Sequence, residues 1–376
     1  MKVMLVAGAR PNFMKVAPLF HALSARKESA RRAGIDLRVS IVHTGQHYDP
    51  NMSGIFFREL GMPPPDRHLE VGSGSHAGQT ARIMIAFEKA LLEDRPDLVV
   101  VVGDVNSTVA CSLTAKKLGI RVAHVEAGLR SFDMGMPEEI NRKLTDAISD
   151  LLFVTEESGA RNLRREGVPE DRIFLVGNVM IDTLKRNLSR IEGGYFAPSR
   201  PVAAFCDGRK RYGVLTLHRP SNVDTREALS PIWQVLSEVA RQLPILFPVH
   251  PRTRARIESF GLQTNGIAMI DPVGYLDMLY AVKGAAIVLT DSGGLQEETT
   301  ALGVPCVTIR ENTERPVTVE QGTNYLAGTD PAAVLAASEE ILSGRGKKGS
   351  VPPLWDGRAA ERIVDILLRE PVHRTD

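Results

Sequence analysis

Aromatic residues make up only 5% of this 376-residue chain, and cysteine occurs three times, at Cys111, Cys206 and Cys306. Three widely spaced cysteines do not build a disulfide framework. With no CxxC pair and no Cys/His ligand spacing, a metal site is not expected. Cys111 and Cys306 lie in apolar runs and read as buried thiols of a reducing compartment. Neither sign of charge is in excess: 46 Lys and Arg stand against 45 Asp and Glu. That balance provides no general attraction for nucleic acid or for an anionic membrane surface, so an anionic ligand has to be met by a local cluster of cations. Long apolar runs are also missing. None approaches the roughly 20 residues of a membrane span. The run Val3–Ala9 is too short for a signal-peptide core and ends at Arg10. A cytoplasmic protein is the expectation.

What is present is alternation. Strand-length apolar runs at Lys2–Ala7, Leu37–His43, Leu98–Val102, Arg121–Val125 and Leu151–Val154 alternate with helical patterns at Met14–Ser24, His76–Glu93, Asn106–Leu118 and Pro137–Ser149. Leu98–Val102 is wholly aliphatic, as a strand buried on both faces should be. The alternation predicts α/β architecture with parallel, doubly wound sheets and right-handed crossovers. A helix near Met180–Ile191 gives way to Gly193-Gly194, Pro198, Pro201 and the basic run Gly208–Arg211, which reads as an inter-domain linker and a solvated loop. Strands then resume at Val214–Leu217, Ile245–Val249, Ile267–Ile270, Ala285–Thr290 and Val304–Ile309. Helices are expected at Arg226–Gln242, Tyr275–Val282 and Pro331–Leu342, with a closing amphipathic helix over Asp356–Arg369. The expected architecture is two Rossmann-like domains, 1–177 and 178–355, facing across a cleft, with 356–371 packing back on the first.

Ligands of open α/β sheets bind beyond the carboxyl ends of the strands, and polar residues collect there. Gly8-Ala9-Arg10 and Lys15 follow the first strand. Gly103-Asp104 follows the third, and Glu126 the fourth. Asp104 reads either as a helix N-cap or as a site carboxylate. Glu138 and Arg142 share a helix face and read either as a surface pair or as site residues. In the second half, His218 and Arg219 follow one strand and His250 another. The stretch Asp291–Glu298 joins a buried strand to a helix. Ser292-Gly293-Gly294 there has the form of a phosphate grip, with close backbone approach and a helix N-terminus. An ordinary strand–turn–helix joint has the same form. Jointly, the carboxylates Asp104, Glu126 and Glu138 and the cations at the strand ends suggest a diphosphate ligand with acid–base groups at its reactive end.

These segments resemble the non-hydrolysing UDP-N-acetylglucosamine 2-epimerase family. The likeness runs through Gly8–Lys15, His43–His47, Gly103-Asp104, His124–Arg130, Pro137–Arg142, Asp291–Glu298 and Thr313–Pro316. It implies a glycosyltransferase-B-like fold and reversible inversion at C2 of UDP-GlcNAc, by proton abstraction and anti elimination and re-addition of UDP. It implies no cofactor, no metal and a homodimer. Carried over by position, Asp104, Glu126 and Glu138 look like the acid–base carboxylates, Arg142 their partner, and His218 a group at the diphosphate. Arg10, Ser292, Gly293 and Gly294 look like phosphate contacts, Lys15 and Arg315 like site cations, Glu298 a ribose contact, and Pro272-Val273 a uracil contact. Gln46, Gln79, Arg219 and His250 are candidates for a second, activating nucleotide sugar. Ala9, Asn12 and Pro220-Ser221 depart from the usual family pattern and leave the accepted sugar open. A hydrolysing 2-epimerase, an epimerase for a modified UDP-acetamido sugar, a glycosyltransferase of the same fold and a non-enzymatic nucleotide-sugar sensor are the alternatives.

Overall fold

The computed structural model describes residues 1–46, 57 and 59–369. The chain divides into two compact units, Met1–Thr183 with Pro353–Asp376, and Leu184–Pro352. In the first, β1 (Lys2–Ala7), β2 (Arg38–His43), β3 (Arg67–His68), β4 (Leu98–Val102), β5 (Arg121–Ala127), β6 (Leu151–Val154) and β7 (Ile173–Leu175) form one sheet in the order β3-β2-β1-β4-β5-β6-β7. Every strand pair in it is parallel. In the second, β8 (Gly213–Thr216), β9 (Ile245–Pro248), β10 (Ile267–Ile270), β11 (Ile287–Thr290), β12 (Cys306–Thr308) and β13 (Asn324–Leu326) form a parallel sheet in the order β10-β9-β8-β11-β12-β13. Both orders reverse direction beside their first strand, between β1 and β4 and between β8 and β11. Such a reversal opens a crevice at the carboxyl ends of the strands. The expected α/β class with two Rossmann-like sheets is therefore present.

Burial explains why these segments are strands. All five residues of β4 are buried, and β11 likewise, because helices cover both faces of each sheet. Several boundaries differ from the sequence reading. The first helix runs Arg10–Arg32, not Met14–Ser24, with Pro18 inside it. β5 continues through Glu126 to Ala127, with a register shift between Val125 and Ala127. The stretch read as a linker contains a helix, Arg200–Cys206. The helix Val179–Glu192 is continuous where one unit gives way to the other. No helix among the described residues is long and apolar enough to cross a membrane.

The segment after the second unit returns to the first. Trp355 is buried there and donates Nε1–H to the Thr155 carbonyl at 3.1 Å. The helix Ala359–Arg369 packs on Arg10–Arg32. Its first N–H groups, from Ala359 and Ala360, donate to the Asp182 carboxylate at 3.1 and 2.7 Å.

Candidate active site

In the first unit the site builds on the ends of β1, β4 and β5. Lys15, on the first turns of the helix after β1, forms a buried ion pair with Glu126. Gly103 sits beside that pair at φ +67°, and a Cβ there would come within 2.9 Å of Lys15 Nζ. Only glycine combines that backbone with that proximity. Glu126 itself has φ +72°, is 3% exposed, and keeps Oε1 without a hydrogen-bond partner. A non-glycine residue in this region is strained, and such strain concentrates at functional positions. The β5 bulge is the device that re-aims its side chain.

One strand away, Asp104 Oδ2 accepts from Arg142 Nε at 3.0 Å and Nη2 at 2.8 Å. The other branch of Arg142 donates to Glu139 Oε2 at 2.6 Å. Glu139 also accepts from Ser131 N, Ser131 Oγ and Phe132 N at 2.8, 3.0 and 3.2 Å. Burial pushes its carboxyl up, but the Ser131 N–H, Arg142 and the Ser131 hydroxyl outweigh that and hold it below its ordinary value. Beneath this layer His124 bridges Asp146 Oδ1 (2.6 Å) and the Gly103 carbonyl (2.8 Å). Asp146 Oδ2 accepts from Gly128 N at 3.0 Å and lies 2.7 Å from Arg130 Nη1. Asp146 thereby ties down Gly103 through His124 on one side of Glu126, and Gly128 on the other.

In the second unit, Ser292 occupies the N-cap of the helix Gly293–Leu302 without a side-chain capping bond. Its own N–H donates to Thr290 Oγ1 at 2.9 Å, and the first-turn N–H groups that follow have no intrahelical acceptor. A Cβ on Gly293 would lie 3.0 Å from both Arg315 Nη1 and Glu314 Oε1. Arg315 is buried, with Nη1 2.5 Å from Glu314 and Nε 2.7 Å from Glu297; Arg310 in turn binds Glu314 at 2.9 Å. Asp291 is fully buried, and its Oδ2 accepts from the backbone N–H of His218 (2.9 Å) and of Arg219 (2.8 Å). Glu298 is buried, and burial, opposed by the neighbouring Tyr275 hydroxyl and reinforced by Glu297, pushes its carboxyl up to about 7. The Tyr275 hydroxyl makes no well-formed hydrogen bond there.

The structure brings Lys15, Asp104, Glu126 and Arg142 to one edge of the first sheet, and His218, Ser292, Gly293, Gly294, Glu298 and Arg315 to one edge of the second. Val273 lies in the turn between β10 and the helix Tyr275–Lys283. Two readings are corrected. Asp104 is not a cap, since Val105 is the N-cap of Asn106–Lys117. Arg142 pairs with Glu139 and Asp104 rather than with Glu138, because the i,i+3 spacing and the exit of β4 bring those carboxylates to its fork. Glu138 is half-buried and makes no side-chain bond among the described residues. Lys15 and Arg315 are each paired with a buried carboxylate, Glu126 and Glu297. Gln46 and Gln79 are buried and bonded to each other, Gln79 Nε2 donating to the Gln46 carbonyl at 3.2 Å. Arg219 Nε donates to the Asp291 carbonyl at 3.0 Å, and His250 caps the helix Pro251–Ser259. Arg10 opens its helix, while its side chain, like His47, lies outside the described residues.

Residues 28–368 match the family model for UDP-N-acetylglucosamine 2-epimerase. The chain belongs to that family. A UDP-N-acetylglucosamine 2-epimerase of Methanocaldococcus jannaschii is 45% identical over 377 residues, covering 98% of this chain and 99% of that protein. The crystal structure of the M. jannaschii UDP-GlcNAc 2-epimerase in complex with UDP-GlcNAc and UDP superimposes with a TM-score of 0.87 at 44% identity, covering 98% of this chain and 100% of that one. A UDP-2,3-diacetamido-2,3-dideoxy-D-glucuronate 2-epimerase of Pseudomonas aeruginosa is 38% identical over 372 residues, covering 98% of this chain and 100% of that protein.

Within this member of the epimerase family, sequence reasoning missed the groups that hold the site rather than form it. Asn12 Oδ1 accepts from Gly8 N at 3.1 Å and Ala9 N at 2.9 Å, while its Nδ2 donates to the Val102 carbonyl at 3.2 Å. That amide fastens the first loop to the end of β4. Glu139, Asp146, Glu297 and Glu314 are buried carboxylates of the same kind. Their signal was available as charge inside otherwise apolar helix faces or beside arginine, where an unpaired carboxylate is too costly to keep.

Proposed function

We propose that this chain inverts C2 of UDP-GlcNAc to give UDP-ManNAc without net hydrolysis. A carboxylate of the first unit takes the C2 proton. The C1–oxygen bond to the diphosphate breaks on the opposite face, its electron pair leaving with UDP, and a bound glycal remains. A proton returned to the other face of C2, with re-addition of UDP at C1, completes the inversion. Asp104, Glu126 and Glu138 share the acid and base roles. Arg142 orients Asp104 through the two hydrogen bonds to its Oδ2. Arg10, His218, Arg315 and the Ser292-Gly293-Gly294 turn hold the diphosphate, Lys15 is a site cation paired with Glu126, Glu298 holds the ribose and Val273 the base. The reading makes the chain a homodimer.

One observation carries this reading most directly. Asp104 and Glu126 leave adjacent strands at one sheet edge, each paired with a cation, and Glu126 holds a strained backbone with an unpartnered oxygen. A structural carboxylate gains nothing from that strain, whereas a base aimed at a substrate carbon does. The helix N-terminus at Ser292–Gly294 suits a departing diphosphate, which gains charge as the bond breaks. The P. aeruginosa relative, together with the Ala9 and Asn12 departures, supports a second reading in which the sugar is a 2,3-diacetamido uronic acid.

Incubation with UDP-GlcNAc in deuterated water, followed by proton NMR, tests the proposal. A mixed pool of UDP-GlcNAc and UDP-ManNAc carrying deuterium at C2 is the expected result. Release of free ManNAc would replace it with a hydrolysing reaction. Exchange with the diacetamido uronate alone would favour the second reading, and no exchange with either sugar would end both.

A further inference from the structure

The end of β8 and the end of β11 are joined by a single side chain. Asp291 Oδ2 accepts from His218 N, Arg219 N and, at 3.3 Å, Asn222 Nδ2. Its Oδ1 lies 2.9 Å from His218 Nδ1, close though out of line. Its own carbonyl accepts from Arg219 Nε. Asp291 is fully buried and is the residue immediately before Ser292-Gly293. The His218 ring is about half exposed, 54% for its side chain, so the nitrogen away from Asp291 is open to a ligand. Burial works to raise the Asp291 carboxyl, but His218 and the two backbone N–H groups prevail and hold it ionised.

We propose that Asp291 is a positioning residue for His218, holding Nδ1–H against the carboxylate and favouring the imidazolium, whose Nε2–H faces the diphosphate as UDP is expelled and recaptured. This rests on the reading of the chain as a UDP-sugar 2-epimerase. A carboxylate behind an imidazole selects the tautomer and stabilises the imidazolium. The hydrogen bond from Nε2–H strengthens as the bridging oxygen takes up charge, which favours the transition state over bound substrate. Because Asp291 leads directly into the phosphate turn, one residue sets both diphosphate contacts relative to each other.

The test is Asp291→Asn, alone and combined with His218→Asn. The amide oxygen keeps the backbone bonds of the loop, while its NH₂ group cannot accept from Nδ1. Two-dimensional 1H–15N imidazole spectra, recorded with and without UDP, should show the His218 ring of the UDP complex protonated on both nitrogens in the native protein and on Nε2 alone in the variant. Turnover of UDP-GlcNAc should fall at least about 30-fold with KM held within about threefold. The double variant should lose little beyond His218→Asn alone. Identical ring protonation in the two proteins, or losses that multiply in the double variant, would overturn the proposal. A native protein without C2 exchange removes the functional reading instead, and the ring spectra still decide whether Asp291 governs His218.

Discussion

The proposed ribose role asks two incompatible things of Glu298. A ribose diol is best met by an ionised carboxylate, yet burial raises this one to about 7 from an ordinary 4.5. Its folded-state value lies above the unfolded one, so its contribution to stability is fully present below about pH 4.5 and is lost as pH rises through 7. Glu298→Gln should therefore gain on the order of 2–3 kcal/mol relative to the native chain above pH 7, visible as a higher melting temperature. The same variant should bind UDP more weakly by roughly 1.5–3 kcal/mol, measured by calorimetry; unchanged affinity would remove Glu298 from the ribose. At Asp104 the expectation separates binding from chemistry. Asp104→Asn should abolish deuterium entry at C2 while UDP affinity changes less than about threefold. Residues of this kind were legible in the sequence because a carboxylate directly after an apolar run contradicts its surroundings. Glu138 and Glu139 were not separable, since adjacent acids in one first turn look alike until a backbone loop claims one of them. The role of Asp291 was also hidden, because its partner His218 lies 73 residues away.

At the scale of elements, the proposed diphosphate contact requires the turn of the strand–turn–helix Ile287–Leu302 to stay open to a ligand. Gly293→Ala places a methyl 3.0 Å from Arg315 and Glu314. UDP affinity should drop about tenfold, roughly 1.4 kcal/mol, with the thermal transition little changed. The helix Pro137–Ile148 depends instead on Glu139, which joins the Ser131–Phe132 turn to Arg142. Glu139→Ala should cost about 3 kcal/mol in urea unfolding, and a loss below about 0.5 kcal/mol would show that the turn holds itself. The central strands and long helices were legible because apolar periodicity reports burial, whereas the two- and three-residue strands Arg67–His68, Ile173–Leu175 and Asn324–Leu326 were too short to be read. Glu157–Arg165, Arg200–Cys206 and Pro251–Ser259 went unread, being short helices with few apolar positions to mark a period. The reach of Arg10–Arg32 was underestimated for the same reason, its last turns being Arg26-Lys27-Glu28-Ser29-Ala30-Arg31-Arg32. Glu126 was placed just beyond its strand, since a bulge with positive φ leaves no sequence signal other than glycine, and here the residue is not glycine.

At the scale of the molecule, the first unit is discontinuous, and its stability depends on residues that follow the second. Trp355, Ile363, Val364 and Leu367 are buried in it, each contributing roughly 1.5–3 kcal/mol. Their sum, on the order of 8 kcal/mol, rivals the 5–15 kcal/mol that typically separates folded from unfolded domains. A chain stopped after Pro352 should lose the near-ultraviolet circular dichroism of its first unit and most of its soluble yield. Full retention of both would place the stability of that unit elsewhere. The same arrangement sets an order of assembly on the ribosome. Domains generally complete themselves as they emerge, the earlier before the later. Here the earlier half waits, unsealed, while Leu184–Pro352 is translated, and it closes only when the capping helix reaches Asp182. Stalled nascent chains ending near Pro352 should accordingly be cut by protease in their first half and spared in their second.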